Sequence, residues 1–557
     1  MTNAPSMAKR YENPWRNILF NHFHDILPGS GKPETREHAM GKFQDTLADV
    51  QTGASISMNA IAAATDTSSI DFDTSAKSEH RSEGAGVGYG VSERFNFVMP
   101  STERGRGAVR AFHVFNPTQY DRCEITEIAV WDYYHDISRV GFFDVNGDEL
   151  EASCVNPARK GSEKDGYWGY KYDKFMVKVS VPAMGYTTVV MRPKPQIGHF
   201  APPIISAEHI DHLDVNNEPI VLENSLIKAT FSKTEGKLLS LYDKTCGKYL
   251  IDKPSCFFKY IEEDPIYEYI AWRIGPYMKV VDLNNSCATM FTEQEFKKTF
   301  QSFSYVFDFQ KTSFKVKVTL KKDSPVLDFD LTVDFNNDPV VGKMIPQIAF
   351  SVPVSYEVKG SRCRIPFGVL ERPCASFDVP SHGCVGIMGD CDREVVIIAP
   401  TKYGYRCENG EGQVTLLRNA YKPDPYSDRG EHHIRICVGV SSPKELERLS
   451  DAMEHPLPYV SAKYHKGSLP LEASLVKIDG DVRVSALKNA EDSSGIVLRL
   501  YETKGQDQSV TVKARCDVKE AYVTDVHERV VEKLPIEGGT VSLTVSKNAI
   551  TTLKLVL

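Results

Sequence analysis

The amino-acid sequence predicts an α+β protein in which a short helical segment is followed by all-β sandwiches. Between residues 14 and 65 the apolar residues recur at spacings of three and four, which is typical of amphipathic helices. After Ala111 the apolar residues instead alternate with polar ones, as they do in strands with one buried face. Because no helical pattern separates these strands, we expect antiparallel sheets packed face to face and no (β/α) barrel.

The first helix is expected to begin at Asn13, a candidate cap, with Pro14 in the first turn, where a missing N–H costs nothing. At about 100° per residue, the apolar side chains gather on one broad face, formed by Trp15, Ile18, Leu19, Phe23 and Ile26. The opposite face is polar and contains Asn17, Asn21, His24 and Asp25. We expect the apolar face to pack in a helical bundle, whereas a polar face of this kind is most often a solvated surface.

A second, longer helix is predicted after the Pro28–Gly29 stop. Its apolar residues form a single stripe made of Met40, Phe43, Leu47, Val50, Ala54, Met58 and Ile61. We expect this stripe to pack against the first helix, and the pair to lean on another part of the chain. Residues 66–110 are rich in Ser, Thr, Asp and Gly and are predicted to be a linker. Their glycine-rich stretch 84–90 lacks the Lys-Ser/Thr sequel of a phosphate-binding loop.

The strand signal is strongest in residues 327–335, where apolar and polar residues alternate without a fault. Other predicted strands share the same alternation and lie at 111–115, 179–190, 303–309, 314–320, 482–487, 496–501, 509–514 and 550–557. This number of strands exceeds what one sheet normally holds, so several packed sheets are expected.

Length and charge limit the functional classes. A chain of 557 residues is too long for one ordinary core, so two to four domains are expected. The net charge of −8, without a basic block, argues against nucleic acid and against anionic membranes as partners. The first ten residues lack the apolar centre of a signal peptide, and no apolar run is long enough to span a bilayer. None of the twelve cysteines forms a C-x-x-C pair, so we expect reduced thiols and a cytoplasmic protein.

Residues 21–30, N-H-F-H-D-I-L-P-G-S, are the most distinctive stretch of the chain. Further motifs lie at 365–373 (I-P-F-G-V-L-E-R-P), 402–405 (K-Y-G-Y), 423–432 (P-D-P-Y-S-D-R-G-E-H), 222–224 (L-E-N), 240–244 (S-L-Y-D-K) and 498–502 (L-R-L-Y-E). Together these motifs resemble the glycoside hydrolase family 38 α-mannosidases, and the β-rich half of the cytosolic-type members in particular. The resemblance extends from Trp15 to Leu557, and the catalytic barrel of the family would precede Trp15.

The resemblance implies a division of the chain into five parts. A middle-domain helical segment at 14–65 carries the F-H-D motif, and the linker at 66–110 follows it. A small β-sandwich at 111–205 then leads to a mutarotase-like, carbohydrate-binding super-sandwich at 206–470. A C-terminal β-sandwich at 471–557 ends the chain.

The resemblance also implies a zinc-dependent, retaining hydrolysis of terminal α-mannosides, with mannose-containing oligosaccharides as substrates. By position, His24 matches the family's zinc-ligand histidine, and Asp25 matches the aspartate that hydrogen-bonds the mannose hydroxyls. An imidazole here would complete a zinc shell that the barrel alone leaves open. The zinc site is therefore expected to be shared and to be incomplete in this chain.

No catalytic residue is assigned within the chain. Retaining glycosidases use a carboxylate nucleophile and a carboxyl acid/base, and in this family both belong to the barrel. His209-Ile210-Asp211 repeats the H-x-D pattern of the metal motif, but it follows a Pro-Pro turn and lacks the tryptophan of the family pattern. Residues 142–147 (F-F-D-V-N-G) are predicted to be a turn and not a nucleophile loop. We expect the chain to be inactive by itself.

Arg429 is the candidate substrate-binding residue of the sandwich, because a guanidinium fork suits vicinal hydroxyls and carboxylates. His432 and His433, near Asp428, suggest a separate metal site, but neighbouring residues of a strand point to opposite faces. His22 stands where relatives commonly carry Gln. It either packs against the helix or offers a second imidazole near the zinc.

Three interpretations of function remain open from the sequence. The chain is the C-terminal portion that completes the active site of a barrel, which is either missing or carried by a separately encoded subunit. Alternatively, it is a non-catalytic carbohydrate-binding module derived from a mannosidase, or a fragment with no independent role. The intact F-H-D motif favours the first, since a binding relic has no reason to keep zinc chemistry.

Overall fold

Two long helices and a series of antiparallel sheets make up the computed structural model. It describes residues 7–73, 82–83, 103–104, 107–131, 133, 135–156, 166–167, 170–194, 218–283, 289–390 and 392–557. Within these ranges the α-helices are α1 (Ala8–Asn21), α2 (Pro33–Ala64) and α3 (Leu446–Glu454). All pairings between the strands described are antiparallel, and no (β/α) barrel is found in these ranges. The predicted α+β class, with helices followed by sandwiches, is confirmed.

Helix α1 starts one and a half turns earlier than predicted and ends sooner. The expected cap at Asn13 is wrong, because Pro14 lies buried inside the helix. The additional N-terminal turn is held against α2 by an ion pair of 3.0 Å between Arg10 and Asp49. After Asn21 the chain does not continue as a helix. It forms successive turns that end at Gly29, whose φ of 71° suits a residue without a side chain.

The two helices pack through their polar sides, which corrects the predicted bundle face. Asn21 donates to the carbonyl oxygen of Ala39 (2.9 Å), and Lys42 donates to Asn17 (3.1 Å). A Cβ on Gly53 would lie 2.1 Å from the Tyr11 hydroxyl, so the helices approach closely at this glycine. The apolar side chains predicted to be buried are instead exposed, namely Trp15 (63%), Leu19 (63%), Phe23 (52%), Met40 (50%), Phe43 (46%) and Val50 (42%).

Several large apolar side chains of the two helices are exposed. We call this set of residues the hairpin face and define it by Trp15, Leu19, Met40, Phe43 and Val50. The C-terminal end of α2 is covered, because Met58, Ile61 and Ala62 pack against Phe115 and Tyr186.

The first sandwich packs a six-stranded sheet on a four-stranded one. Its six-stranded sheet contains Tyr459–Ser461, Arg110–Asn116, Gly185–Pro193, Val140–Phe143 and Glu149–Leu150, with Ala473–Ser474 paired at the side. Its four-stranded sheet contains Arg122–Trp131, Tyr170–Val181 and Ala152–Asn156, with Gly166–Tyr167 at the side. The predicted strand 179–190 is wrong, because a turn at Pro182–Met184 divides it into two strands.

The largest sandwich contains three sheets around one apolar core. The four-stranded sheet is formed by Ile220–Glu223, Ile227–Phe231, Leu238–Asp243 and Lys248–Ile251. The six-stranded sheet runs in the order Tyr277–Asp282, Phe257–Glu263, Ile345–Pro353, Glu411–Arg418, Gly404–Glu408 and Ala375–Pro380. The nine-stranded sheet runs in the order Met290–Phe296, Phe300–Phe309, Thr312–Lys321, Val326–Phe335, Gly430–Ser441, Glu394–Ile398, Cys384–Met388, Gly360–Ile365 and Gly368–Pro373.

The C-terminal sandwich packs a four-stranded sheet on a five-stranded one around its own core. The first sheet contains Val476–Asp479, Gln508–Ala514, Thr540–Val545 and Ile536–Glu537. The second contains Arg483–Asn489, Gly495–Tyr501, Ile550–Val556, Glu520–Thr524 and Val530–Leu534. A separate two-stranded sheet pairs Ser82–Glu83 with Glu103–Arg104.

The described ends of the predicted linker are packed. Thr67 donates its backbone N–H to the carbonyl oxygen of His465 (3.0 Å), and Ile70 and Phe72 are buried beside Ala111. The glycine-rich stretch 84–90 and the H-x-D sequence at 209–211 lie outside the described residues. The predicted turn after Phe143 is confirmed, because Asp144 accepts the backbone N–H groups of Asn146 and Asp148 (both 2.9 Å). None of the helices in the described ranges has the length and apolar character needed to cross a bilayer.

Candidate functional site

The two site residues of the F-H-D motif lie in the turn that joins α1 to α2. The His24 side chain is 80% exposed, and its Nε2 lies 3.8 Å from Oδ2 of the half-buried Asp25. The Phe23 ring packs against the imidazole with a centroid distance of 4.3 Å. Exposed Phe20 and Leu27 flank the pair. The predicted exposure on an apolar surface is therefore found for His24, whereas Asp25 is only partly exposed.

A tryptophan of the largest sandwich holds the Asp25 carboxylate. Trp272 lies in the loop between the strands Phe257–Glu263 and Tyr277–Asp282, and its indole N–H donates to Oδ1 of Asp25 across 3.0 Å. With Oδ1 engaged in this way, Oδ2 is the oxygen next to His24. The carboxylate is thus oriented by a residue from a distant part of the chain, and within the part of the chain that the structure describes its other oxygen accepts no hydrogen bond.

The Trp272 loop, residues 264–276, is held in place by a buried ion pair at its N-terminal end. Glu263 is fully buried, and Arg418 donates to its two carboxylate oxygens at 2.7 Å each. Glu263 also accepts the backbone N–H of Gly275 (2.7 Å), and Arg418 donates to the carbonyl oxygen of Arg273 (3.2 Å). A buried carboxylate with this many donors has a defined position, and so has the loop attached to it.

A second contact joins the helical hairpin to the same sandwich. Arg36 at the start of α2 forms an ion pair of 2.5 Å with Asp424, whose side chain is 4% exposed. Arg36 also donates to the carbonyl oxygen of Tyr426 (3.0 Å). The loop that holds Asp424 is tied to Arg418, because the Arg418 backbone N–H donates to Asp428 (2.8 Å). Arg418 therefore links both loops that contact the hairpin.

Arg429 lies in the second of these loops, but it does not form an ion pair with Asp25. Its guanidinium lies 3.3 Å from Asp338, which also accepts a hydrogen bond from Lys311 (2.7 Å). The hydrogen bond from Lys311 lowers the pKa of Asp338 and keeps it charged. Arg429 is nearly half exposed and lies three residues after Tyr426, whose carbonyl oxygen accepts the hydrogen bond from Arg36.

The remaining histidines of the motifs each have different partners. His22 caps the end of α1 and is exposed. His432 contacts the carbonyl oxygen of Asp428 (2.9 Å), whereas His433 lies 3.2 Å from Glu431 and 3.3 Å from Thr332. The two neighbouring imidazoles thus have different partners, as expected for successive residues of a strand.

The donor atoms of His24 and Asp25 are of the type that zinc binds, an imidazole nitrogen and a carboxylate oxygen. Zinc sites normally have four ligands, and the described residues contain no cluster of three or more His, Cys, Asp or Glu side chains able to hold a metal. The pair therefore fits part of a zinc site whose other ligands would come from elsewhere.

Sequence reasoning missed Trp272, Tyr269, Arg36 and Arg418. The available signal was the aromatic run Y-E-Y-I-A-W at 267–272, which begins four residues after the end of a buried strand, since exposed aromatic residues in a loop often bind ligands. Its proximity to Asp25 was not predictable from local patterns.

Comparisons with known proteins agree with this architecture. Residues 222–426 match the model of the glycosyl hydrolases family 38 C-terminal domain, and residues 481–553 match that of the glycosyl hydrolases family 38 C-terminal beta sandwich domain. An alpha-mannosidase from Saccharomyces cerevisiae is 23% identical over 369 residues, which are 56% of this chain and 32% of that protein. Alpha-mannosidase G from Dictyostelium discoideum is 25% identical over 167 residues, which are 26% of this chain and 15% of that protein.

Two solved structures from Enterococcus faecalis share the fold over nearly the whole chain. An alpha-mannosidase matches with a TM-score of 0.71 and 15% identity, covering 98% of this chain and 63% of the other. A protein in glycosyl hydrolase family 38 matches with a TM-score of 0.74 and 14% identity, covering 99% and 66%. The chain thus spans less than a third of the two curated relatives and about two thirds of the solved structures. The matched family models, the relatives and the shared fold identify the chain as the C-terminal portion of a glycoside hydrolase family 38 protein.

Proposed function

We propose that this chain completes the active site of a zinc-dependent, retaining α-mannosidase, with the catalytic barrel supplied by preceding sequence or by a separate subunit. The observation that carries the proposal is the exposed His24 next to the half-buried Asp25, whose carboxylate is oriented by Trp272. An oriented carboxylate next to an imidazole on an open surface is an arrangement for binding something outside this chain.

The carboxylate of Asp25 would bind the sugar through hydrogen bonds. Oδ2 is free to accept hydrogen bonds from the hydroxyls of a terminal mannose, and the Trp272 N–H on Oδ1 would prevent the carboxylate from rotating away. Hydrogen bonds to a charged acceptor are stronger than neutral ones, so a fixed carboxylate favours one orientation of the sugar ring. Arg429, which is partly exposed, would contribute to binding of more distant hydroxyls.

The imidazole of His24 would supply one ligand to the metal. Zinc, when bound, contributes Lewis-acid stabilisation of charge on the sugar hydroxyls. In this chain His24 would contribute its Nε2, which already points toward Asp25, and the remaining ligands would belong to the barrel. The nucleophile and the acid/base would also belong to the barrel, since both must flank the scissile bond.

The hairpin face is suited to binding a large partner through an apolar surface. Its five exposed apolar side chains belong to the two helices that the His24 turn joins, and clustered exposed apolar side chains are typical of an interaction site. A barrel seated on this face would cover Trp15 and Leu19 and would bring its own residues up to His24. This arrangement explains why an amphipathic helix leaves its apolar side uncovered in the isolated chain.

Reconstitution tests the proposal. The purified chain alone should hydrolyse no aryl α-mannoside, and addition of a family 38 barrel partner with zinc should produce hydrolysis with retention of the anomeric configuration, followed by NMR of the product. His24→Ala should abolish the restored activity, while His22→Ala, which removes a neighbouring exposed imidazole, should leave most of it.

Three outcomes would contradict the proposal. Turnover by the chain alone at an enzymic rate would mean that it contains its own nucleophile. Restored activity that survives His24→Ala would remove His24 from the metal site. Mannoside binding by the chain, with no barrel able to restore hydrolysis, would favour the alternative of a non-catalytic carbohydrate-binding module.

A further inference from the structure

The Trp272 loop presents two exposed aromatic rings next to Asp25. Tyr269 is 59% exposed and Trp272 is 47% exposed, and their rings meet edge to face with a centroid distance of 5.9 Å and an interplanar angle of 88°. Each ring leaves a large apolar surface uncovered, and adjoining exposed apolar surfaces are typical of an interaction site.

The loop is rigid before any ligand arrives. Ile270, between the two aromatic residues, is 1% exposed and packs with Ile345 and Ala420. The backbone N–H groups of Trp272 and Arg273 both donate to the carbonyl oxygen of Tyr269 (3.1 Å each), which closes a tight turn. Together with the Glu263–Arg418 pair, these contacts fix both rings, so a ligand would not have to pay for ordering them.

We propose that Tyr269 and Trp272 form a sugar platform that binds the pyranose on the leaving-group side of the scissile bond. The C–H faces of a pyranose pack on aromatic rings, while its hydroxyls need polar partners nearby. Asp25 supplies such a partner at one edge, since the Trp272 indole donates directly to it. A flat apolar ligand without hydroxyls could not donate a hydrogen bond to that carboxylate.

The side of the bond follows from the proposed function, on which this inference rests. If Asp25 binds the hydroxyls of a terminal mannose, that mannose has a covalent neighbour on its leaving-group side only. A ring that touches the platform next to Asp25 is then the sugar to which the mannose is attached. The ligand class is therefore an α-linked mannosyl oligosaccharide of two or more rings.

Fluorine NMR of the whole chain labelled with 5-fluorotryptophan tests the platform directly. The chain has four tryptophans, and the Trp272 signal is assigned with Trp272→Phe. Titration with α-linked mannobiose should shift the Trp272 signal along a saturating curve, and methyl α-mannoside should shift it less. Tyr269→Ala should weaken mannobiose binding roughly five-fold, which is the effect of losing one aromatic contact.

Tyr249→Ala is the matched control, because Tyr249 is also exposed (57%) and also packs against another aromatic ring, Tyr242, but lies on a different sheet. It should leave mannobiose binding unchanged. A Trp272 signal that does not move up to the solubility limit of mannobiose, or equal affinities for the Tyr269→Ala and unsubstituted chains, would overturn the platform.

Failure of the platform and failure of the proposed function give different results. Reconstituted mannosidase activity without a Trp272 shift would remove the platform and leave the proposed function intact. Mannobiose binding that depends on Tyr269 in a chain that no barrel activates would leave the platform as a sugar site and remove its assignment to the leaving-group side.

Discussion

Trp272 donates its indole N–H to Oδ1 of Asp25 across 3.0 Å, which joins two segments that are 247 residues apart in the sequence. The donor comes from a β-sandwich loop and the acceptor from a turn between helices. The relative placement of the helical hairpin and the sandwich therefore determines how the carboxylate points. Any change that moves either segment should therefore change the orientation of the Asp25 carboxylate.

Trp272→Phe should lower the catalytic efficiency of the reconstituted enzyme about ten-fold, because it removes a hydrogen bond worth about 1.5 kcal/mol to a charged acceptor while keeping an aromatic ring. The melting temperature should stay the same, since the side chain is half exposed. Steady-state kinetics with an aryl α-mannoside and a thermal melt measure the two effects. Tyr249→Phe, which removes a polar group from an exposed aromatic side chain on a different sheet, is the control and should leave the catalytic efficiency unchanged.

Arg418→Met should destabilise the chain by about 3–5 kcal/mol, because it leaves the fully buried Glu263 carboxylate without its charged partner. The Trp272 loop should become looser as well, with faster hydrogen exchange at the backbone of Trp272 and Arg273. Urea unfolding measures the first effect and hydrogen-exchange mass spectrometry the second.

The control for Arg418→Met is Lys311→Met, which breaks an exposed ion pair with Asp338 and should cost less than about 1 kcal/mol. The double change Glu263→Gln with Arg418→Met should recover part of the loss, because no unpaired charge remains buried. Equal destabilisation by Lys311→Met and Arg418→Met would mean that burial of the Glu263 pair does not matter.

Local periodicity predicted the strands well and the contacts of the helices poorly. Residues 327–335 were predicted as a strand and form Val326–Phe335, because one buried face leaves a period-two pattern that any reader of the sequence can detect. The apolar side of α1 was expected to face α2, but Trp15 and Leu19 are exposed. An amphipathic pattern predicts that one face of a helix will be covered, but it does not identify the part of the protein or the partner that covers it.

The candidate site was predicted only as far as its motif extends. His24 and Asp25 were recognisable from the F-H-D-I-L-P-G-S run, whereas Trp272 and Arg418 reach the site through tertiary contacts. Such contacts depend on how separate sheets and helices pack, and a local sequence pattern contains no information about that packing. Arg429, inferred from a loop motif, forms an ion pair with Asp338 and not with Asp25.

The hairpin face should make the isolated chain self-associate. Trp15→Gln together with Phe43→Gln should lower the apparent mass in analytical ultracentrifugation toward the 62.3 kDa of one chain, because the apolar side chains that drive association are removed. The melting temperature should change little, since both side chains are about half exposed or more. Tyr249→Gln, an exposed aromatic residue elsewhere, should not change the mass distribution. Loss of the melting transition in the double variant would indicate that these residues are needed for the fold.

Asp243→Asn should destabilise the chain by about 1–3 kcal/mol at pH 7 and by less in acid. Asp243 is fully buried, and it accepts hydrogen bonds from Arg393 (2.7 Å) and from the backbone N–H of Thr245 (2.8 Å). Burial by itself would raise the pKa of Asp243, but these hydrogen bonds outweigh burial and hold the pKa below its usual range.

A carboxyl whose pKa is lowered by folding stabilises the protein fully above its unfolded pKa of about 3.9, and this stabilisation is lost as the pH falls through the folded pKa. The difference in melting temperature between the unsubstituted chain and Asp243→Asn should therefore be constant from pH 7 to pH 5 and narrow below about pH 4. Asp390→Asn, which removes the exposed partner of Lys359, should give only a small difference at every pH, and a gap for Asp243→Asn that widens in acid would contradict the assigned direction of the pKa shift.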